Sequence, residues 1–206
     1  MVKQRIIEEA SGLFAHSGVK STTMDDLAKH MGISKRTIYE NFRDKETLLI
    51  ACINSFYAEN KEFTDKVFLK ADNVVDAILV LLEKSAEQSA QVQFNMLNDI
   101  RKYYPLVYRE HLICQHTSKN RNMAHMVRRG ITEGVFRDDL NPEIIALFFS
   151  KQGEGITLND KEFEKFHFTE VFENMVITFL RGICTPRGLE IVERYGLKKK
   201  EILPNQ

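Results

Sequence analysis

No glycine occurs between Gly32 and Gly130, and Pro105 is the only proline in that stretch. A sheet protein needs turn residues roughly every 8–12 positions, whereas helices joined by short polar links do not. The gap therefore argues against a β architecture. Apolar spacing agrees. Ile6, Ile7, Ala10, Leu13 and Phe14 recur at the i, i+3, i+4, i+7 spacing of one helical face, and Val74, Val75, Ile78, Leu81 and Leu82 repeat it. The chain reads as all-α. With 206 residues, 43% of them hydrophobic, it can bury a core without a metal or disulfide staple.

About nine helices are expected. The first covers roughly Lys3–Ser17 and stops at Gly18, where a left-handed cap is available. The second follows Thr22 or Thr23, either of which can cap it, and ends near Met31–Gly32. The third starts at Ser34 and runs to about Phe42. Asp44 caps a long fourth helix ending near Lys70. Later helices fall at roughly 73–90, 94–113 (bent at Pro105), 116–134, 142–153 and 163–183. Asn141 followed by Pro142 is a start signal, a cap before an N1 proline. The tail after Thr185, with Lys198, Lys199 and Lys200, is expected to be partly ordered at most.

The longest apolar runs, Ala77 to Leu82 and Ile144 to Phe149, fall far short of the ~20 residues of a membrane span. Glu8 and Glu9 stand where an export signal would be apolar, so a cytoplasmic protein is expected. Cys52, Cys114 and Cys184 are scattered, which suits a reducing compartment.

Residues 22–45 carry the chemistry. Met24, Leu27, Ala28 and Met31 form the inner face of one short helix, and Ile38 and Phe42 that of the next. Gly32 permits the turn between them, and Ile33 plugs the corner. This is a helix-turn-helix pattern, whose second helix enters the DNA major groove. Lys35, Arg36, Thr37, Tyr39, Glu40 and Asn41 are left outward or at the edge. Lys and Arg reach guanine acceptors or phosphates, Asn pairs with adenine, and Thr offers a methyl to thymine. Thr22 or Thr23, and Lys45 at the start of the fourth helix, are placed for phosphate.

Residues 3–50 resemble the DNA-binding domain of the TetR family of bacterial transcriptional regulators. The residues that carry the resemblance are Phe14, Gly18, Thr22-Thr23, Leu27-Ala28, Gly32-Ile33-Ser34, Thr37-Ile38-Tyr39, Phe42 and Asp44-Lys45-Glu46-x-Leu48. The resemblance implies that Lys35, Arg36, Thr37, Tyr39 and Asn41 line the recognition surface and that Tyr39 and Lys45 contact phosphate. Thr22, Thr23 and Ser34 complete the candidate set. Glu40 departs from the family, many of whose members carry an aromatic or His there. Its carboxylate either reads a cytosine amine or points away. The division expected is a DNA-binding domain over 1–48 and an effector-binding and dimerisation domain over 49–206.

The last long helix carries Phe172, Met175, Val176, Phe179 and Leu180, and helix 142–153 carries Ile145, Phe148 and Phe149. Stripes this wide bury more than one side. They resemble the family's dimer-forming helices, the alternative being an ordinary core pair. Phe94, Met96, Leu97, Ile100, Tyr103, Tyr104, Tyr108 and Met123 are candidates for an apolar effector pocket, the alternative again being core. Asn98, Gln115 and His116 could add polar contacts.

His111, Cys114 and His116 do not share one helical face, even with His125 nearby, and Glu164-x-x-His167 is one half of a motif that needs two. No metal, cofactor or catalytic centre is expected. Cys52 reads as a small buried hydrophobe rather than an oxidation sensor.

The function expected is a homodimeric repressor, released from a near-palindromic double-stranded operator by a small-molecule effector. The alternative is a DNA-binding protein of the same fold governed by a protein partner. Net charge is zero, with 29 basic against 29 acidic residues. Residues 29–45 nevertheless hold Lys29, Lys35, Arg36, Arg43 and Lys45 against only Glu40 and Asp44.

Overall fold

A computed structural model describes residues 2–86, 96, 98–157 and 165–202. The described elements are helical: α1 (Val2–Ser17), α2 (Met24–Met31), α3 (Lys35–Asn41), α4 (Lys45–Lys70), α5 (Val74–Ala86), α6 (98–103), α7 (Pro105–Val107), α8 (Cys114–Thr132), α9 (Pro142–Thr157), α10 (Phe168–Ile183) and α11 (Pro186–Ile202). A π-helical stretch, Tyr108–Ile113, joins α7 to α8. Among the described residues no helix is long and apolar enough to cross a membrane.

Two compact units divide the chain. Met1–Phe63 packs with Gln91–Gln115, and Thr64–Ala90 with His116–Gln206. This packing division falls elsewhere than the boundary expected at residue 48, the first unit running on to Phe63. In the first unit Ile6, Ala10 and Phe14 of α1 pack with Leu27, Ile38, Leu48, Leu49, Ile53 and Ile100. The second is built on Val74, Val75, Leu79, Phe136, Val176 and Leu180. There Arg129 and Glu133 tie the α4–α5 turn. Arg129 Nη1 donates to the Phe68 carbonyl (2.8 Å), and Glu133 accepts from both Arg129 Nε (2.7 Å) and the Val74 N–H (2.8 Å).

Two expectations are corrected. The first is the single bent helix 94–113 followed by a break. The helix instead stops at residue 103, Tyr104 is non-helical, and a new helix starts at Pro105 and runs through the π-helix into α8. Proline withholds an N–H and disfavours helix in the residue before it, whereas nothing at 113–116 interrupts the backbone. The second is the tail, which forms α11. Val192 is buried in the second core and Leu189, Ile191 and Tyr195 pack against it. Gly188 obscured this periodicity, but packing demands it. A Cβ there would stand 2.2 Å from the Val135 carbonyl oxygen.

Candidate nucleic-acid interface

Helices of eight and seven residues are too short to persist alone, so α2 and α3 depend on caps and buried faces. Thr23 caps α2. Its Oγ1 accepts from the Asp26 N–H (3.1 Å), and the Asp26 carboxylate accepts from the Thr23 N–H (2.9 Å). The Thr23 hydroxyl also donates to that carboxylate (2.6 Å), and this bond, with that from the Thr23 N–H, holds the Asp26 carboxyl below its ordinary pKa. Gly32 ends α2 in the left-handed region (φ 66°), and the Ile33 N–H returns to the Ala28 carbonyl (3.1 Å). Ser34 Oγ accepts from the Thr37 N–H (3.1 Å) and starts α3. Ile38 and Phe42 are buried, which turns the opposite side of α3 to solvent.

Lys35, Arg36 and Tyr39 are exposed on that side. Both cations are already paired. Lys35 Nζ lies 2.6 Å from Asp25 Oδ1, and Arg36 Nε lies 2.8 Å from Glu40 Oε1. The Asp25 carboxylate raises the Lys35 pKa. Glu40 therefore faces along its own helix. Asn41, half-buried, folds back to donate to the Thr37 carbonyl (2.8 Å). Thr37 is half-buried, and its hydroxyl lies 2.8 Å from that of Ser34, itself exposed.

Asp44 caps α4, accepting from the Thr47 N–H (2.8 Å) and hydroxyl (2.7 Å). These bonds, with Arg43 beside it, hold its pKa down at about 2. Lys45 is half-buried and donates to the Lys20 carbonyl (3.3 Å), over the ring of Tyr104. Its pKa is lowered by that burial, against the opposing charges of Asp99 and Asp26.

Of the two candidate hydroxyls, Thr22 turns inward. It is 4% exposed and donates to the Gly18 carbonyl (2.8 Å), which removes it from the contact surface. Thr23 is exposed but engaged as the cap. Sequence reasoning missed Lys20, Asp25 and Asp99. Asp25 was legible, since it lies ten residues before Lys35 across one tight turn. Asp99 was not, because only folding brings it to the first unit.

Residues 6–52 match the bacterial regulatory proteins of the tetR family. Over those residues the chain carries the sequence pattern of the tetR-family DNA-binding region. The uncharacterised HTH-type transcriptional regulator YvaF of Bacillus subtilis is 30% identical over 102 residues, covering 49% of this chain and 53% of YvaF. The match thus spans about half of that relative. The HTH-type transcriptional repressor KstR2 of Mycolicibacterium smegmatis is 19% identical over 150 residues, 71% of this chain and 73% of that one. A solved transcriptional regulator from Cytophaga hutchinsonii shares the fold at a TM-score of 0.74 and 21% identity, over 88% of this chain and 98% of that one. The match over residues 6–52 and these relatives support a DNA-binding regulator.

In the C-terminal unit the candidate dimer residues split. Ile145, Phe148, Met175 and Phe179 line an open groove of about 850 Å³ between α9 and α10. Phe149 packs edge-on to Phe179 (ring centroids 5.2 Å apart), and Phe172 packs against the core. Val176 and Leu180 are 3% and 1% exposed and belong to that core, so they cannot meet a partner. Their i, i+4 spacing put them on the inner side of α10, opposite Val171, Met175 and Thr178.

The candidate pocket residues also separate. Ile100 is fully buried in the first core, with Met96, Tyr104 and Tyr108 packed against it. Tyr103 is exposed, with the Lys20 ammonium 4.4 Å from its ring centroid. Half-buried Met123 lies in the other unit. Phe94, Leu97 and Glu164, and the side chains of Cys114, Gln115 and His116, lie outside the described residues. Among those described, no group of three or more His, Cys, Asp or Glu side chains could hold a metal ion.

Proposed function

We propose that the chain is a homodimeric repressor that reads a near-palindromic operator with α3 and leaves it when a small molecule binds the C-terminal part. The observation that carries the reading is the outward row Lys35, Arg36 and Tyr39 set against buried Ile38 on a capped helix-turn-helix. Thr23, Ser34, Thr37 and Lys45 flank it as contacts to phosphate or base, and Asn41 joins them once it releases the Thr37 carbonyl. The repressor sense is supported by relatives named as repressors. A partner protomer would cover the α9–α10 groove, whose lining residue Phe148 is 56% exposed. Two-fold symmetry would then set the recognition helices one DNA turn, about 34–36 Å, apart.

Release needs the effector to favour the DNA-free conformation. A tenfold loss of DNA affinity corresponds to about 1.4 kcal/mol of coupling. Duplexes selected by the protein from a random library should share a palindrome. Lys35→Ala with Arg36→Ala should bind them no better than unrelated DNA in a gel-shift assay. Full, sequence-selective affinity in that double variant would defeat the proposal.

A further inference from the structure

Asp99, in α6, lies far along the chain from the helix-turn-helix but belongs to the same compact unit. Its Oδ2 accepts from the Lys20 N–H (3.2 Å) in the loop between α1 and α2. The Lys20 carbonyl accepts from the Lys45 ammonium (3.3 Å). One loop residue is thus gripped at both backbone polar atoms, by a carboxylate from α6 and a cation from α4. Gly18 fits the same arrangement. Its φ is +85°, and a Cβ there would stand 3.0 Å from Asp99 Oδ2, so the carboxylate approaches where a side chain would interfere. Two consecutive rings at the end of α6 and just past it add to this, Tyr103 beneath the Lys20 ammonium and Tyr104 beneath that of Lys45 (4.4 and 5.8 Å to the centroids).

We propose that Asp99 is a positioning residue for DNA binding: by fixing the Lys20 backbone it holds Lys45, and with it the start of α4, ready for a phosphate. The inference rests on the DNA-reading function proposed above. The alternative role for an anion near bound DNA is plain repulsion, and the two predict opposite signs. Asp99 lies half-buried on the wall of an open cavity of about 580 Å³.

The test compares Asp99→Ala and Asp99→Asn on a duplex selected by the wild type, with affinity measured by fluorescence anisotropy across salt concentrations. Asn keeps an oxygen acceptor for the Lys20 N–H. Asp99→Ala should bind about tenfold more weakly, and its log–log salt slope should fall by about one per protomer, the signature of a lost phosphate contact. Asp99→Asn should stay within about threefold of wild type with the slope intact. A merely structural role would lower the melting temperature without moving the slope. Asp99→Ala binding as tightly as wild type or tighter, or Asp99→Asn as impaired as Asp99→Ala, would overturn the inference alone. A wild type that selects no duplex would overturn the proposed function and this inference with it.

Discussion

Lys35 and Arg36 meet solvent already paired with Asp25 and Glu40. Exposed pairs hold weakly, so a matched base edge can displace the carboxylate. Random DNA must displace it too, with only phosphate attraction in return. Removing the carboxylates by Asp25→Asn with Glu40→Gln should therefore raise affinity for unrelated duplex about threefold and steepen its salt dependence. Titration at several salt concentrations reads both, and an unchanged slope would count against the idea. The thiols give a second residue-scale expectation. Burial pushes both Cys52 and Cys184 up to about 11, and Cys52 Sγ lies 3.5 Å from the Ile7 carbonyl. In a Cys114→Ser background, native protein at pH 8 should react with a thiol reagent only as fast as it unfolds. Rapid labelling without unfolding would show an accessible thiolate.

At the scale of elements, α2 and α3 stand on burial and caps. Ile38→Ala removes a fully buried side chain and should cost about 2–5 kcal/mol in urea unfolding. A loss below about 1 kcal/mol would mean that α3 does not depend on that contact. The cap of α4 adds a pH dependence. The Asp44 pKa is depressed to about 2 in the fold, against about 3.9 in an unfolded chain. Its stabilisation is therefore present above about pH 4 and lost as pH falls through about 2. The melting-temperature gap between wild type and Asp44→Ala should close over that window; a gap constant from pH 5 to 2 would contradict the assignment. These caps were legible because Thr23, Ser34, Asp44 and Asn141 act on backbone within three residues. α11 was not, because Gly188 is excused by a contact with Val135, more than fifty residues away in sequence.

For the molecule as a whole, zero net charge conceals an uneven distribution. Residues 29–45 are basic on balance, whereas residues 51–180 hold 15 basic against 19 acidic side chains. Without an overall positive field, the protein should depend on matched contacts more than on non-specific attraction. Assembly is the other whole-molecule property. Phe148→Lys with Met175→Lys places charge in the α9–α10 groove and should yield a monomer by light scattering, with helix content unchanged in circular dichroism. Persistence of a dimer would place the interface elsewhere.

The fold class and the helix-turn-helix were readable from one dimension because both arise locally. Apolar period, caps and the turn at Gly32 act over a few residues, and each agrees with the next. Which side of a wide apolar stripe faces inward is a different matter. Val176 and Met175 are adjacent and equally apolar, yet one is core and the other groove, since only the neighbouring helices fill one side. The same holds for Ile100 and Tyr103 on α6, and for Asp99, whose partner Lys20 is 79 residues away. Long-range packing, not the character of the residue, assigned each its task.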